Sequence, residues 1–110
     1  MMLAITSNTR FFFYQHAVSM HKGFEGLSTI IEEVFLKELF TGAFFIFLNR
    51  KKDHMKILCW DSDGLAIWYK RLERGAFTSK NISENKMTRK EFLMLLEGIT
   101  PKKIQARFSL

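Results

Sequence analysis

Apolar and polar positions divide the chain into two stretches with helical spacing and a series of short strand-like runs. "RFFFYQHAV" (residues 10 to 18) is dense in aromatic side chains after a polar start, the pattern of a buried first strand. Between Met20 and Phe40, Phe24, Leu27, Ile31, Val34 and Phe35 recur at helical spacing. Ser19 stands where it would cap the first N–H groups, and Glu33 lies four residues before Lys37. "TG" at 41 and 42 ends that helix, and "AFFIFLN" (43 to 49) is a continuous apolar run typical of an interior strand.

The polar link "RKKDH" turns the chain into the next strand, Met55 to Trp60, which is expected to pair with the run 43 to 49 as a hairpin. "DSDG" (61 to 64) contains Asp-Gly, a pair that tolerates the positive φ of tight turns, so Asp61, Asp63 and Gly64 are expected to set a second hairpin. "LAIWYKRL" supplies its returning strand, with Leu65, Ile67, Tyr69 and Arg71 on one face and Ala66, Trp68, Lys70 and Leu72 on the other. After a bend at Gly75, "RGAFTSK" reads as a further short strand and "NISENK" as a polar loop. "TRKE" (88 to 91) is a capping-box pattern ahead of "FLMLLEGI", with Gly98 and Pro101 ending the helix.

This order predicts a single compact α+β domain over residues 1–110. Its sheet is antiparallel or mixed, of about four to five strands, with two helices on one face, a frayed N-terminus and a basic C-terminal tail.

Composition agrees with a folded domain, since 47% hydrophobic residues and 12 phenylalanines can bury enough surface to offset ordering entropy. No apolar run approaches the roughly 20 residues of a membrane helix. A lone Cys59 and the lack of a cleavable-signal pattern point to a reducing cytoplasm. The formal charge of +6 favours polyanionic partners, nucleic acid among them.

The charge is clustered. Arg50, Lys51 and Lys52 share one turn, Lys70, Arg71 and Arg74 lie near the end of a strand, and Lys102, Lys103 and Arg107 lie in the tail. The first two clusters are the candidate nucleic-acid-binding residues, and Trp60, Trp68 and Tyr69 are candidates for stacking on bases, set against a core role for aromatics in strands. No catalytic site is predicted. Asp61 and Asp63 sit two residues apart in a turn, where aspartates bond nearby backbone, and Asp53 and Glu73 are the acidic residues that could join them. His16, His21, His54 and Cys59 lack metal-ligand spacing, so neither a metal nor another cofactor is expected. "GFEG" (23 to 26) has the glycine spacing of one RNA-binding loop without its surroundings, and reads as two glycines permitting close packing of the helix against the sheet or a partner.

"HKGFEGL", then "FIFLNRKKDHMKILCWDSDGLAIWYKRLERGAF", then "LLEGI" together resemble the small TnpB, or Orf-two-like, accessory proteins of the insertion-sequence-sixty-six transposon family. The resemblance spans nearly the whole chain. It implies a non-enzymatic protein encoded beside a separate transposase and assisting transposition, with that transposase, DNA, or both as partners. A protein-interaction module that never touches DNA is the alternative, followed by a metal-dependent nuclease. Where the family usually has Asp-Met-Arg-Lys, this chain has Ser19, Met20, His21 and Lys22. Serine caps a helix much as aspartate does, whereas His21 replaces a permanently charged fork by a mostly neutral ring.

Overall fold

A computed structural model describes residues 5–36 and 39–97. They form a five-stranded mixed sheet and two helices in the order β1 (Phe11–Phe13), α1 (Phe24–Val34), β2 (Phe44–Leu48), β3 (His54–Asp61), β4 (Gly64–Arg71), β5 (Lys86–Met87) and α2 (Arg89–Glu97). Across the sheet the strand order is β4-β3-β2-β1-β5. The expected frayed start and basic tail, and the helix-ending Gly98 and Pro101, lie outside the described residues.

The α+β reading is correct, and β2 shows why its sequence is apolar without alternation. It is the central strand, parallel to β1 (Phe11 opposite Phe44) and antiparallel to β3 (Phe45 opposite Leu58), and all of its residues are buried. A strand covered on both faces has no polar side to show. Phe44, Ile46 and Leu48 point into one core layer with Phe11, Ile57, Phe77, Phe92 and Leu95. Phe45 and Phe47 point into the other, with Leu27, Ile31, Phe35 and Leu58.

The helices therefore lie on opposite faces of the sheet, α1 on the Phe45 side and α2 on the Phe44 side. The expectation of one shared face is wrong, and β2 supplies the reason: both of its faces carry large apolar side chains, so both need a cover. Aromatic rings lock each layer, with Phe11 stacked on Phe92 at 4.5 Å and Phe12 on Phe45 at 5.4 Å. Truncating a wholly buried phenylalanine costs about 3–5 kcal/mol, far above what the propensity of a nine-residue helix supplies. Packing holds these helices.

Several local expectations also need correction. The first helix begins at Phe24, not Met20: Ser19 Oγ accepts the N–H of His21 in a turn before the helix, and Gly23 occupies the N-cap without a side-chain bond. The expected strand "RGAFTSK" is an irregular segment whose Phe77 plugs the α2-side core, and the strand role falls to Lys86–Met87, at the end of the stretch read as a loop. In the hairpin, Asp61 pairs with Gly64 across a two-residue loop, and the positive φ belongs to Ser62 (56°), not to Gly64. Gly75 takes positive φ (75°), as the predicted bend requires, but Gly42 (φ 83°) does not stop the helix: α1 ends at Val34 with Phe35 as C-cap and Leu36 in the left-handed region (φ 50°), and Gly42 serves a turn before β2. Gly23 and Gly26 make no close approach to the sheet; a Cβ on Gly26 would meet only the side chain of Lys22.

Candidate nucleic-acid interface

The turn between β2 and β3 is built around Asn49. Its Nδ2–H donates to Asp53 Oδ1 (2.7 Å), its Oδ1 accepts the His54 N–H (2.9 Å), and its carbonyl accepts the Lys52 N–H (3.1 Å). Lys52 follows with φ 59°, the left-handed residue that commonly closes a turn of this length. The Asn49 hydrogen bond holds the Asp53 carboxyl below its usual pKa against the opposing effect of desolvation, with smaller lowering contributions from His54 and Lys51. This carboxylate holds the loop that carries Arg50 and Lys51 outward.

The β4 segment arrives at the same end of the sheet. Lys70 is opposite Met55 and Arg71 opposite His54, the Leu72 N–H bonds the Asp53 carbonyl (2.7 Å), and the Phe77 N–H bonds the Lys52 carbonyl (2.7 Å). The bend holding Arg74 is thus tied at both ends to residues 52 and 53. Two basic clusters separated in sequence share one rim of the fold. Within it Arg71 Nη2 pairs with Glu73 Oε1 at 3.0 Å and Lys52 Nζ donates to Ser79 Oγ at 2.9 Å. Strand alternation sends Arg71 toward the α1 side and Lys70 toward the α2 side, so the cations fan out around the sheet end.

The three aromatic candidates do not form one platform. Trp60 pairs with Leu65 near the hairpin tip and meets Phe40 edge-on at 5.3 Å, about 20 Å along β3 from the rim. Trp68 is half-buried against the α2-side core. Tyr69 alone stands with the cations: it is 49% exposed, its hydroxyl lies 2.5 Å from His54 Nδ1, and Lys56 Nζ sits 5.1 Å from its ring centre.

The acidic residues do not converge either. Asp53 and Asp61 bracket the two ends of β3, and Glu73 is paired with Arg71. Among the described residues no group of three His, Cys, Asp or Glu side chains could share a metal ion. Cys59 is buried, and that burial, with a smaller contribution from Asp61, pushes its thiol pKa up.

Lys56 is the feature that sequence reasoning missed. Only 8% exposed, it donates from Nζ to the carbonyls of Met20 and Lys22, both at 2.8 Å. The bonded pair fastens residues 19–23 beside the rim, where residues 17–21 and the turn 49–54 line an open cleft of about 590 Å³. A lysine between Met55 and Ile57 in an apolar strand was the available signal, because a buried ammonium needs acceptors.

With a central sheet, helices on both faces and a cationic end, the domain is a basic α+β module, and comparison gives its relatives. The IS66 Orf2-like family model matches residues 9–106, and the chain belongs to that family of transposon accessory proteins, which is generally not characterised as enzymatic. It is similar to the uncharacterized protein y4jC of Sinorhizobium fredii, 26% identical over 84 residues that cover 74% of this chain and 72% of that one. No solved structure matches. Among the described residues no helix is long and apolar enough to cross a membrane.

Proposed function

We propose that this protein assists transposition by binding DNA of its element through the basic rim, with Arg50, Lys51, Lys70 and Arg74 as the principal phosphate contacts. The observation that carries the reading is the joining of residues 50–52 and 70–74 by the β3–β4 ladder and by the Leu72 and Phe77 hydrogen bonds. A cluster of cations gains affinity by releasing counterions from the duplex, and such contacts position DNA without reading its sequence. Tyr69 is the aromatic placed to stack on an unpaired base there. Trp60 and Trp68 serve packing.

A second reading has its own support. Phe40 (62% exposed) stands out against Trp60, at the end of the sheet opposite the cations, and with the exposed Leu36 (69%) just after α1 favours contact with a protein, the transposase of the same element. The two surfaces would let one domain bridge enzyme and DNA.

One experiment addresses both. Binding of the full chain to a labelled element end is titrated with salt, for the parent and for a variant with Arg50, Lys51, Lys70 and Arg74 changed to glutamine. The variant should bind weakly to every sequence, with a salt slope shallower by roughly 0.9 for each phosphate contact removed, and should melt like the parent. Absence of DNA binding by the parent even at low salt would reject the DNA reading; a salt-resistant complex with purified transposase, lost in Phe40→Ser, would then establish the second.

A further inference from the structure

The sheet ends differ in how they are protected. β5 is two residues long, whereas β4 is an eight-residue edge strand in unbroken register with β3 from Asp61 opposite Gly64 to His54 opposite Arg71, with no bulge and no proline. Among the described residues β4 pairs with β3 alone. A long regular edge is a template for another strand, and folded proteins usually blunt it.

The hydrogen-bond phase of that edge follows from the hairpin. The Leu72 N–H bonds Asp53 of the inner strand, and in an antiparallel ladder alternate residues bond the same neighbour. Residues 64, 66, 68, 70 and 72 therefore bond inward, and Leu65, Ile67, Tyr69 and Arg71 direct their N–H and C=O groups outward. The edge is also polarised. Asp61 and Asp63 lie at its hairpin end, Lys70 and Arg71 at the other, with the half-buried Leu65, Ala66, Ile67 and Trp68 between.

We infer that β4 pairs with β4 of a second copy of this chain, antiparallel about a two-fold axis through Ile67. A two-fold perpendicular to the sheet keeps each face on its own side, so opposed residues must share parity. Centring on Ile67 meets this condition and opposes Leu65 to Tyr69, Ile67 to Ile67 and Ala66 to Trp68, while the outward-directed N–H and C=O groups meet each other. The same register sets Asp63 of each copy against Arg71 of the other. Centring on Trp68 would instead oppose Arg71 to Leu65, with no acid across the join from it, while Lys70 meets no acid in either register (Gly64 in the first, Ala66 in the second). Charge complementarity thus selects both the occupant, a second copy, and its register. The product is a continuous ten-stranded sheet with one basic rim contributed by each copy. This inference does not rest on DNA binding.

The test is the oligomeric state of the full chain, measured by sedimentation equilibrium and light scattering. The parent should be a dimer. Ile67→Lys sets two like charges directly opposite each other and should raise the dimer dissociation constant roughly a hundredfold, the scale of like-charge juxtaposition across an interface. Because the Ile67 side chain is also half-buried against the α1-side core, circular dichroism and thermal unfolding are recorded on the same variant, and the charge exchange decides the pairing if the fold is altered. Asp63→Arg and Arg71→Asp should each weaken the dimer and the double exchange should restore it, which no folding defect would imitate. A parent that stays monomeric at high concentration, a dimer indifferent to Ile67→Lys, or a double exchange that fails to recover dimerisation would each overturn the pairing.

Discussion

At the start of α2, Thr88 Oγ1 accepts the N–H of Glu91 (3.1 Å) and Glu91 Oε1 accepts the N–H of Thr88 (2.8 Å). At the start of α1 no side chain caps, and the preceding carbonyls of Met20 and Lys22 are held by Lys56, more than thirty residues away on β3. The first boundary is written in four consecutive residues and the second is imposed by tertiary structure. Residues 19–22 instead form a turn closed by the Lys22 N–H on the Ser19 carbonyl (3.1 Å) and turned toward the Lys56 ammonium, and the helix starts later than its apolar spacing suggests. Local chemistry predicts an element's edge only where no distant group competes for the same backbone atoms.

The largest expected effect tests that distant group. Lys56→Ala removes two charge-assisted hydrogen bonds and the packing of a buried stem, and should cost about 3 kcal/mol in chemical denaturation. Beyond the global loss, amides of residues 20–24 should exchange and be cleaved faster than those of α2. A cost under about 1 kcal/mol, with residues 20–24 unchanged, would mean that α1 sets its own start and would erase the contrast.

The capping box should matter less. Thr88→Ala is expected to cost about 1 kcal/mol, and Glu91→Ala somewhat less because Glu91 satisfies one N–H in a partly exposed place. Combined in a double-mutant cycle, the two losses should nearly add, since each side chain satisfies a different backbone N–H and neither change removes the other's acceptor. A coupling well above about 0.5 kcal/mol would show that one contact depends on the other.

The same contrast accounts for what was legible in the chain. β2, β3, β4 and the capping box could be read because burial on both faces, alternation and a four-residue motif leave periodic or local traces in residues 43–49, 55–72 and 88–91. β5 could not, because two residues paired to Phe11 and Phe12 carry no period. The assignment of α1 and α2 to opposite faces was implicit in β2, whose phenylalanines alternate between two cores, but only the parallel β1–β2 pairing decides which helix takes which face. For the rim, the cations were evident as residue types; their gathering depends on the β3–β4 register and on the Phe77 hydrogen bond to Lys52, and the latter spans an irregular segment with no sequence signature.

The smallest effect lies at the hairpin tip, where local chemistry was read and still misplaced. Asp-Gly at 63 and 64 suggests that glycine takes the positive φ, yet Ser62 carries it, which matches a turn with left-handed geometry at the first loop position. A Cβ on Gly64 would meet nothing within 4 Å, and its φ lies outside the left-handed range. Gly64→Val should therefore change stability by less than about 0.5 kcal/mol, because a β-branched residue suits a strand position with open space around it. Ser62→Gly should stabilise, by a few tenths to about 1 kcal/mol, since it removes the left-handed penalty on a residue with a Cβ while adding only glycine's extra entropy in the unfolded chain. Both are measured by thermal unfolding in the Ile67→Lys background, so that any change in self-association does not enter the comparison. A Gly64→Val protein that loses more than about 1 kcal/mol while Ser62→Gly gains nothing would return the turn to its glycine, and the hairpin would then join α2 among the elements whose geometry local sequence alone decides.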